Sequence, residues 1–254
     1  MTRSLSFHNR RVLVIGAGVI GSETAKMFLD LGSQVAVWDK DSNRLHLDHL
    51  ASNVFPFEVD ITDYQSTKTC FVETTKVLGG LDILVNCAGI AKSQSLAEIT
   101  PHDWSQVMAV NLNAAFFVSQ LAVPILKTAG GGSIINIGSI SGLRGELNFA
   151  HYSASKFALI GLTQSMAKEF GKDQIRVNCV CPGALDSPMN DLVLKRKQRL
   201  EYVSRETAIE QLLAATPLGR FCTPTDIANA VCFLSSELAS FITGEVLAVT
   251  GGLN

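Results

Sequence analysis

The 254-residue chain has little charge and no excess of either sign. Asp and Glu number 23 against 21 Lys and Arg, and the formal net charge is -2. Such a balance gives no electrostatic reason to bind nucleic acid or an anionic membrane surface. Because 47% of the residues are hydrophobic, we expect apolar surface to remain after folding and to be covered in a homo-oligomer.

Long uninterrupted apolar runs are also lacking. No stretch approaches the ~18 consecutive apolar residues of a spanning helix, so no membrane segment is predicted. The first eleven residues include arginines but no apolar segment typical of a signal peptide. We therefore expect no cleaved targeting peptide and a cytoplasmic location.

The cysteines have no metal-ligand spacing, and no other ligand cluster predicts a metal site. The six are Cys70, Cys87, Cys179, Cys181, Cys222 and Cys232, mostly within apolar runs. Cys179 and Cys181 would share one face of a strand but form no C-x-x-C pair. We expect buried small side chains in a reducing compartment.

What the sequence does contain is a regular alternation of β-branched apolar runs with amphipathic stretches of helical length. The strand candidates are residues 11–15, 34–38, 54–58, 81–86, 133–137, 175–181 and 245–249. Their near-continuous hydrophobicity indicates burial on both faces, as in a parallel sheet covered by helices. We predict one α/β domain over residues 1–254, a doubly wound parallel sheet of Rossmann type.

Two further patterns concern helices. Thr100 and Thr223 are each followed by proline and then, two positions later, by aspartate, which predicts helix N-termini. The segment between Pro182 and Pro217 has no strand candidate, so we expect one or two helices there and a substrate lid at about 184–216. Its basic cluster at 195–199 is typical of a solvated helix face.

A glycine-rich turn follows the first strand candidate. Gly16, Gly18 and Gly21 form G-x-G-x-x-G between a strand and a helix, where backbone amides bind a pyrophosphate. The next strand candidate is followed by Asp39, whose carboxylate would accept the adenosine ribose hydroxyls and repel a 2′-phosphate. NAD is therefore predicted over NADP, although Lys40 and Arg44 lie nearby and a solvent-facing Asp39 is the alternative.

A tyrosine and a lysine lie four residues apart in a predicted helix. Tyr152 and Lys156 would share a helix face, and a neighbouring cation lowers the pKa of a phenol towards the working range of a general acid or base. Ser139 follows a strand candidate at the carboxyl edge of the sheet, where open α/β sheets bind ligands. Its hydroxyl could hold a substrate oxygen beside the phenol.

These motifs, in this order, resemble those of the short-chain dehydrogenase/reductase family across essentially the whole chain. The matching segments are the glycine turn, Asn-Cys-Ala-Gly at 86–89, Asn111, Ser139, the Tyr152/Lys156 pair, Cys-Pro-Gly-Ala-Leu-Asp-Ser at 181–187, Pro-Leu-Gly-Arg at 217–220 and Ile-Thr-Gly at 242–244. Two departures affect details. The glycine turn is one residue shorter than the family pattern and has Ile15 for a threonine, and Thr250 replaces the usual aspartate before Gly251 and Gly252.

The resemblance implies roles for individual residues. Tyr152 would be the general acid or base, Lys156 would lower its pKa, Ser139 would bind the substrate oxygen, and Asn111 would hold a water in the proton relay. The implied cofactor contacts are Gly16, Gly18, Ile20, Gly21, Asp39, Asp60, Ile61, Asn86, Ala88, Gly89, Tyr152, Lys156, Pro182, Gly183, Leu185 and Ser187. A satisfied core amide at Asn111, a turn hydroxyl at Ser139 and a strand-end cap at Asn86 remain the alternatives.

The expected function is NAD(H)-dependent interconversion of a secondary alcohol and a ketone, without a metal. Substrate walls are expected from segments 90–95, 140–151 and 184–216, and the mixture of Arg144, Glu146, Asn148 and His151 suits a polyol, sugar or hydroxy acid. Reduction of 3-oxoacyl groups on an acyl carrier is the alternative reaction, followed by oxidation of a steroid or other bulky alcohol. A nucleotide-binding redox sensor without turnover is the alternative of another class. The resemblance implies a homotetramer built on the helices that contain Asn111 and Tyr152, with a homodimer as the alternative.

Overall fold

The computed structural model describes residues 5–45 and 53–253. Its centre is one sheet of seven parallel strands in the order β3-β2-β1-β4-β5-β6-β7. The strands are β1 (Arg11–Ile15), β2 (Gln34–Asp39), β3 (Val54–Glu58), β4 (Ile83–Asn86), β5 (Gly132–Ile137), β6 (Ile175–Pro182) and β7 (Val246–Val249). The predicted strands are thus confirmed, with ends shifted by one or two residues.

Eight α-helices connect the strands or extend from the sheet. They are α1 (Val19–Asp30), α2 (Tyr64–Leu78), α3 (Pro101–Met108), α4 (Ala114–Thr128), α5 (Ala150–Phe170), α6 (Pro188–Glu201), α7 (Arg205–Ala214) and α8 (Pro224–Ser235) within the described residues. Thr100 and Thr223 cap α3 and α8 as predicted, each with a reciprocal bond to the aspartate three residues on. Such a box satisfies amide groups that a helix start otherwise leaves without partners.

Strands β1 to β6 each contribute to two cores because successive side chains point to opposite faces. On one face Val12 and Val14 of β1 pack with the side chains of α1 and α8. On the other face Leu13 and Ile15 pack with those of α2, α4 and α5. Burial on both faces explains the continuous apolar runs, and it confirms the doubly wound arrangement predicted from them.

The helical run Pro101–Thr128 has the length and composition of a membrane span, but 44% of its most apolar window is buried inside the protein. It consists of α3, a π-helical turn at Ala109–Asn113, and α4. Side chains of α4 belong to the core beside the sheet. The apolar composition of this run is therefore that of a core helix.

Strand order reverses beside β1, whose neighbours are β2 and β4. The following connections leave the sheet in opposite directions, which opens a crevice at the carboxyl ends of these strands. The glycine turn follows β1, Asp39 ends β2, and Cys87 follows β4. The fold thus places all three predicted cofactor-binding segments at one crevice.

Candidate active site

The glycine turn combines one crowded glycine with one open position. A Cβ on Gly21 would lie 1.8 Å from the carbonyl oxygen of Gly16, and Gly16 itself has a φ of +97°. Gly18, by contrast, has no other atom within 4 Å of its Cβ position. Gly18 is also the N-cap of α1 and has no side chain to accept from the first amide groups. The turn therefore leaves space and free amide donors for a pyrophosphate, in spite of its shorter length.

Asp39 is buried and lies beside this turn. Its two carboxylate oxygens accept hydrogen bonds from the amide groups of Ala17, at 2.7 Å, and Asp41, at 2.9 Å. Arg44 approaches one oxygen to 3.9 Å. Since Asp39 also lines a cavity, the solvent-facing alternative does not apply. Its remaining acceptor positions suit ribose hydroxyls.

The catalytic candidates come from two neighbouring elements. Ser139 follows β5 and caps a short turn through the amide of Ser141, while Tyr152 and Lys156 lie on the first turns of α5. The ammonium nitrogen of Lys156 donates to the carbonyl of Ile137 at 2.8 Å and lies 5.8 Å from the Tyr152 ring centroid. These contacts bring the phenol, the ammonium and the hydroxyl to one place, as the helical spacing predicted.

Burial dominates the acid–base properties of this group. It raises the pKa of Tyr152, and a hydrogen bond with Ser139 acts in the opposite direction. Burial also lowers the pKa of Lys156. Burial is therefore the largest influence on the Tyr152 pKa in this structure, since a buried phenolate loses its hydration. That Lys156 lowers the phenol pKa stays a prediction.

Asn111 lies in the π-helical turn at Ala109–Asn113. Its side chain accepts from the amide of Ile90 at 2.8 Å and donates to the Ile90 carbonyl at 2.9 Å and to Ser155 Oγ at 3.0 Å. The amide is thus fully engaged in holding the segment after β4 against α5. A π-turn widens the helix at this position, a device common at functional sites.

Two cavities of similar size, about 410 Å³ and about 420 Å³, meet at Cys87 and Gly89. The first cavity is lined by the predicted residues Ile20, Gly89, Ser139, Tyr152, Lys156, Pro182, Gly183, Leu185 and Ser187. The second cavity is lined by the predicted residues Gly16, Gly18, Asp39, Asp60, Ile61, Ala88 and Gly89. An elongated ligand lying across both would place one end at Asp39 and the other at Tyr152.

Three predicted site residues line neither cavity. Gly21 supports the turn by close packing, and Asn111 supports the segment after β4. Asn86 is buried and donates to Ser119 Oγ at 3.1 Å and to Asn136 Oδ1 at 2.9 Å. These positions support the site by close packing and by side-chain hydrogen bonds, and their direct contact with the cofactor stays a prediction.

Comparison with known proteins identifies the family. Residues 16–254 match the family described as enoyl-(acyl carrier protein) reductase. The chain belongs to the short-chain dehydrogenase/reductase family. It is 34% identical to a 3-oxoacyl-[acyl-carrier-protein] reductase of Thermotoga maritima, over 95% of this chain and 96% of that one. It is 35% identical to a 3alpha-hydroxysteroid dehydrogenase of Mediterraneibacter gnavus, again over 95% and 96%.

A solved structure, the ligand-free aldohexose dehydrogenase of Thermoplasma acidophilum, superposes with a TM-score of 0.86. It is 31% identical, and the match covers 97% of this chain and 94% of that one. The resemblance inferred from the motifs is thus confirmed, and membership implies an oxidoreductase with a nicotinamide cofactor. Relatives of similar identity are named for an acyl thioester, a steroid and a sugar, so overall similarity does not select the substrate.

Within the predicted wall segment 184–216 of this short-chain dehydrogenase/reductase, several residues line the first cavity that the sequence analysis did not name as wall residues. Met189, Val193, Arg196 and Lys197 of α6 line it, and Met189 Sδ lies 3.7 Å from the Tyr152 hydroxyl. These positions follow the i, i+4, i+7, i+8 spacing of one helix face. That spacing was the available signal, and the run of charges obscured it.

The interpretation of residues 195–199 as a solvated face is therefore wrong for its central members. Arg196 pairs with Glu146, donates to the Leu147 carbonyl and lies over the Phe149 ring. Lys197 pairs with Glu201. Lys195 and Arg199 are exposed, as predicted. Helix α6 thus turns half of its basic cluster towards the cavity.

The expected substrate walls hold in outline. Segments 90–95, 140–151 and 184–216 all contribute to the first cavity, and Arg144 and Glu146 line it. Asn148 and His151 do not line it, and the His151 ring is fully buried.

In the described part of the chain, no group of three His, Cys, Asp or Glu side chains is placed to hold a metal ion. All six cysteines are free, and the Sγ atoms of Cys179 and Cys181 lie 3.8 Å apart on one face of β6.

Proposed function

We propose that this short-chain dehydrogenase/reductase interconverts a secondary alcohol and a ketone with NAD(H). One observation supports this most strongly. Ser139, Tyr152 and Lys156 line a cavity that joins, at Cys87 and Gly89, a second cavity lined by the glycine turn and Asp39. The cavity with the proposed proton-transfer group therefore opens into the cavity proposed to bind the dinucleotide.

The residues divide the chemistry between them. A nicotinamide cofactor bound across the two cavities would supply the hydride acceptor for oxidation of the carbinol and the hydride donor for reduction of the carbonyl. Tyr152 takes the hydroxyl proton during oxidation and gives it back during reduction. Ser139 donates a hydrogen bond to the substrate oxygen, and the Lys156 ammonium favours the phenolate as the proton leaves.

The residues present fit a nicotinamide dinucleotide with an unphosphorylated adenosine ribose. The open space at Gly18 admits the pyrophosphate, and the uncapped start of α1 stabilises its charge. Asp39 faces the second cavity, so a 2′-phosphate there would meet a buried carboxylate. Lys40 and Arg44 line the same cavity, which makes NADP the alternative to be tested.

A compact hydroxylated substrate suits the first cavity best. Its volume of about 410 Å³ must hold both the substrate and the reacting end of the cofactor. Charged and amide side chains lie beside apolar ones along its wall. A polyol, sugar or hydroxy acid is therefore the proposed class. One relative is named as an aldohexose dehydrogenase and another as a 3alpha-hydroxysteroid dehydrogenase, which supports a hydroxyl compound as substrate.

Reduction of 3-oxoacyl groups on an acyl carrier is the second candidate. The relative named as a 3-oxoacyl-[acyl-carrier-protein] reductase favours it. Lys195 and Arg199 favour it too, because both are exposed on α6, the helix whose other residues line the first cavity. An acidic carrier would dock on such a basic surface. A screen of NAD reduction with polyols, sugars and hydroxy acids, beside NADPH oxidation with an acetoacetyl thioester, separates the two reactions.

Substitution of Tyr152 tests the enzyme assignment. Tyr152→Phe removes the proton-transfer hydroxyl, so turnover should fall by about three orders of magnitude or more while NAD binding, measured by fluorescence titration, is kept. Because burial raises the Tyr152 pKa, the phenolate needed for oxidation is scarce at neutral pH. Oxidation by the wild type should therefore accelerate as pH rises.

Tyr64→Phe is the matched control, since it removes a hydroxyl from an exposed tyrosine on α2, outside both cavities. It should keep full activity and the same pH profile. If Tyr152→Phe also keeps full activity, the catalytic assignment is wrong. If the wild type binds NAD but converts no substrate in the screen, the protein is a nucleotide-binding redox sensor and not an enzyme.

A further inference from the structure

The first cavity carries more positive charge than its own residues neutralise. Four cationic side chains and one carboxylate line it: Arg144, Lys156, Arg196, Lys197 and Glu146. Glu146 is paired with Arg196, and Lys197 with Glu201. The buried ammonium of Lys156 donates to a backbone carbonyl and has no carboxylate partner there. Within the described residues, the positive charge of the first cavity that has no carboxylate partner is therefore that of Lys156 and Arg144.

Arg144 is the cation available to a substrate. It follows the turn after Ser139, is only partly exposed, and lines the cavity together with Tyr152. Within residues 5–45 and 53–253 its guanidinium has neither an ion-pair partner nor a hydrogen-bond acceptor. A half-buried guanidinium has lost part of its hydration, and five N–H donors in a fixed fork match a carboxylate in two-point contact.

Neighbouring contacts hold this region in shape. Arg196 of α6 donates to Glu146 and to the carbonyl of Leu147, and its guanidinium lies 5.7 Å from the Phe149 ring centroid. These contacts tie the lid helix to the loop that carries Arg144. They also occupy the one cavity carboxylate, so Glu146 is not available to neutralise Arg144.

We propose that Arg144 binds the carboxylate of the substrate, so that the enzyme acts on a hydroxy acid and its keto acid rather than on a neutral sugar or polyol. This rests on the proposed function and narrows its substrate class. The carboxylate would be held at Arg144 while the carbinol oxygen lies between Ser139 and Tyr152. Binding at two points fixes which hydroxyl faces the phenol, and the separation of the two groups selects the chain length.

Paired substrates test this proposal directly. Hydroxy acids with the hydroxyl at positions two to five are compared with their methyl esters, which keep the carbinol but lose the charge. The acid of the preferred length should exceed its ester in kcat/KM. Arg144→Met should lower kcat/KM for the acid by about 10- to 100-fold, mainly through KM, and leave the ester unchanged. Arg144→Lys should restore part of the loss.

Lys68→Met provides the control for removal of one positive charge, because Lys68 is exposed on α2 and lines neither cavity. It should alter neither substrate. Equal use of acid and ester by the wild type, or an equal loss on both in Arg144→Met, contradicts the proposal.

Phosphate is the other anion that Arg144 could bind, as part of a pantetheine thioester. Acetoacetyl thioesters with and without the pantetheine phosphate distinguish this source. If Arg144→Met affects only the phosphorylated thioester and no hydroxy acid, the carboxylate proposal is overturned. If no alcohol or ketone of any class reacts while NAD binds, the proposed function itself fails, which is a different result from a neutral substrate being preferred.

Discussion

At the scale of single residues, the local pattern identified side chains but not their environment. The four-residue spacing of Tyr152 and Lys156 on α5 was predicted because helical geometry depends only on neighbouring positions. Burial of both groups depends on β5, β6 and α6, which come together only in the folded chain. The direction of the Tyr152 pKa shift was therefore beyond the sequence.

Asp39 can be tested as the residue that selects the cofactor. Asp39→Ala should relax the preference from NAD towards NADP, measured as the ratio of kcat/KM for the two cofactors, because it removes the buried negative charge from the second cavity. The same change also removes the acceptor for the Ala17 amide, so Asp39→Asn is the matched variant. It loses the charge and keeps one carbonyl acceptor.

Both variants should shift the ratio in the same direction, while the glycine turn is better preserved in Asp39→Asn. A ratio unchanged in both would exclude Asp39 as the selector. It would then assign the preference to Lys40 and Arg44, the cations that line the same cavity.

At the scale of elements, two glycines of the same turn have different roles: Gly21 is needed for packing, and Gly18 is proposed to leave space for the cofactor. Gly21→Ala should destabilise the protein by several degrees in Tm, because its Cβ would lie 1.8 Å from the Gly16 carbonyl oxygen, a contact that forces the backbone to move. Gly18→Ala meets no other atom. It should keep the wild-type Tm and weaken NAD binding, because the new methyl group takes space at the start of α1.

Thermal unfolding with and without NAD separates the two effects. Stabilisation by NAD should be reduced in Gly18→Ala, since a ligand stabilises the folded state according to its affinity. An unchanged NAD affinity in Gly18→Ala would place the pyrophosphate elsewhere than the start of α1.

The segment between Pro182 and Pro217 shows how far the prediction of helices and strands reached. One or two helices were expected between Pro182 and Pro217, and two, α6 and α7, are present. The face that α6 turns to the cavity was misjudged, because five consecutive positions with four charges suggested solvent on all sides. Long basic side chains can lie along a protein surface with their charged ends paired, as Arg196 does with Glu146.

At the scale of the whole molecule, large apolar side chains remain exposed on the helices that the family resemblance assigned to assembly. Trp104 of α3, Phe116 of α4 and Phe157 of α5 are each more than 40% exposed. Apolar side chains of this size, exposed on the helices assigned to assembly, support an interface between subunits. We propose a homotetramer that covers them.

Light scattering on the purified protein checks this proposal, with an expected mass four times that of the chain. Phe116→Glu should lower the mass by placing a charge in the interface, because an unpaired buried charge is costly. Val72→Glu, which adds the same charge to the exposed face of α2, should leave the mass unchanged. A monomer at micromolar concentration would contradict the assembly.

The sequence alone determined the strands, their burial on two faces, the sites of the glycine turn and Asp39, and the spacing of Tyr152 and Lys156, because each depends on a short period or a turn along the chain. Only the tertiary structure decided which charges remain unpaired. Arg144, Glu146 and Arg196 come from segments up to 52 positions apart, and their pairing depends on how α6 packs over the loop after β5. Charge balance in a cavity is a property of the fold, since desolvation and partner distance are set by packing and not by order along the chain.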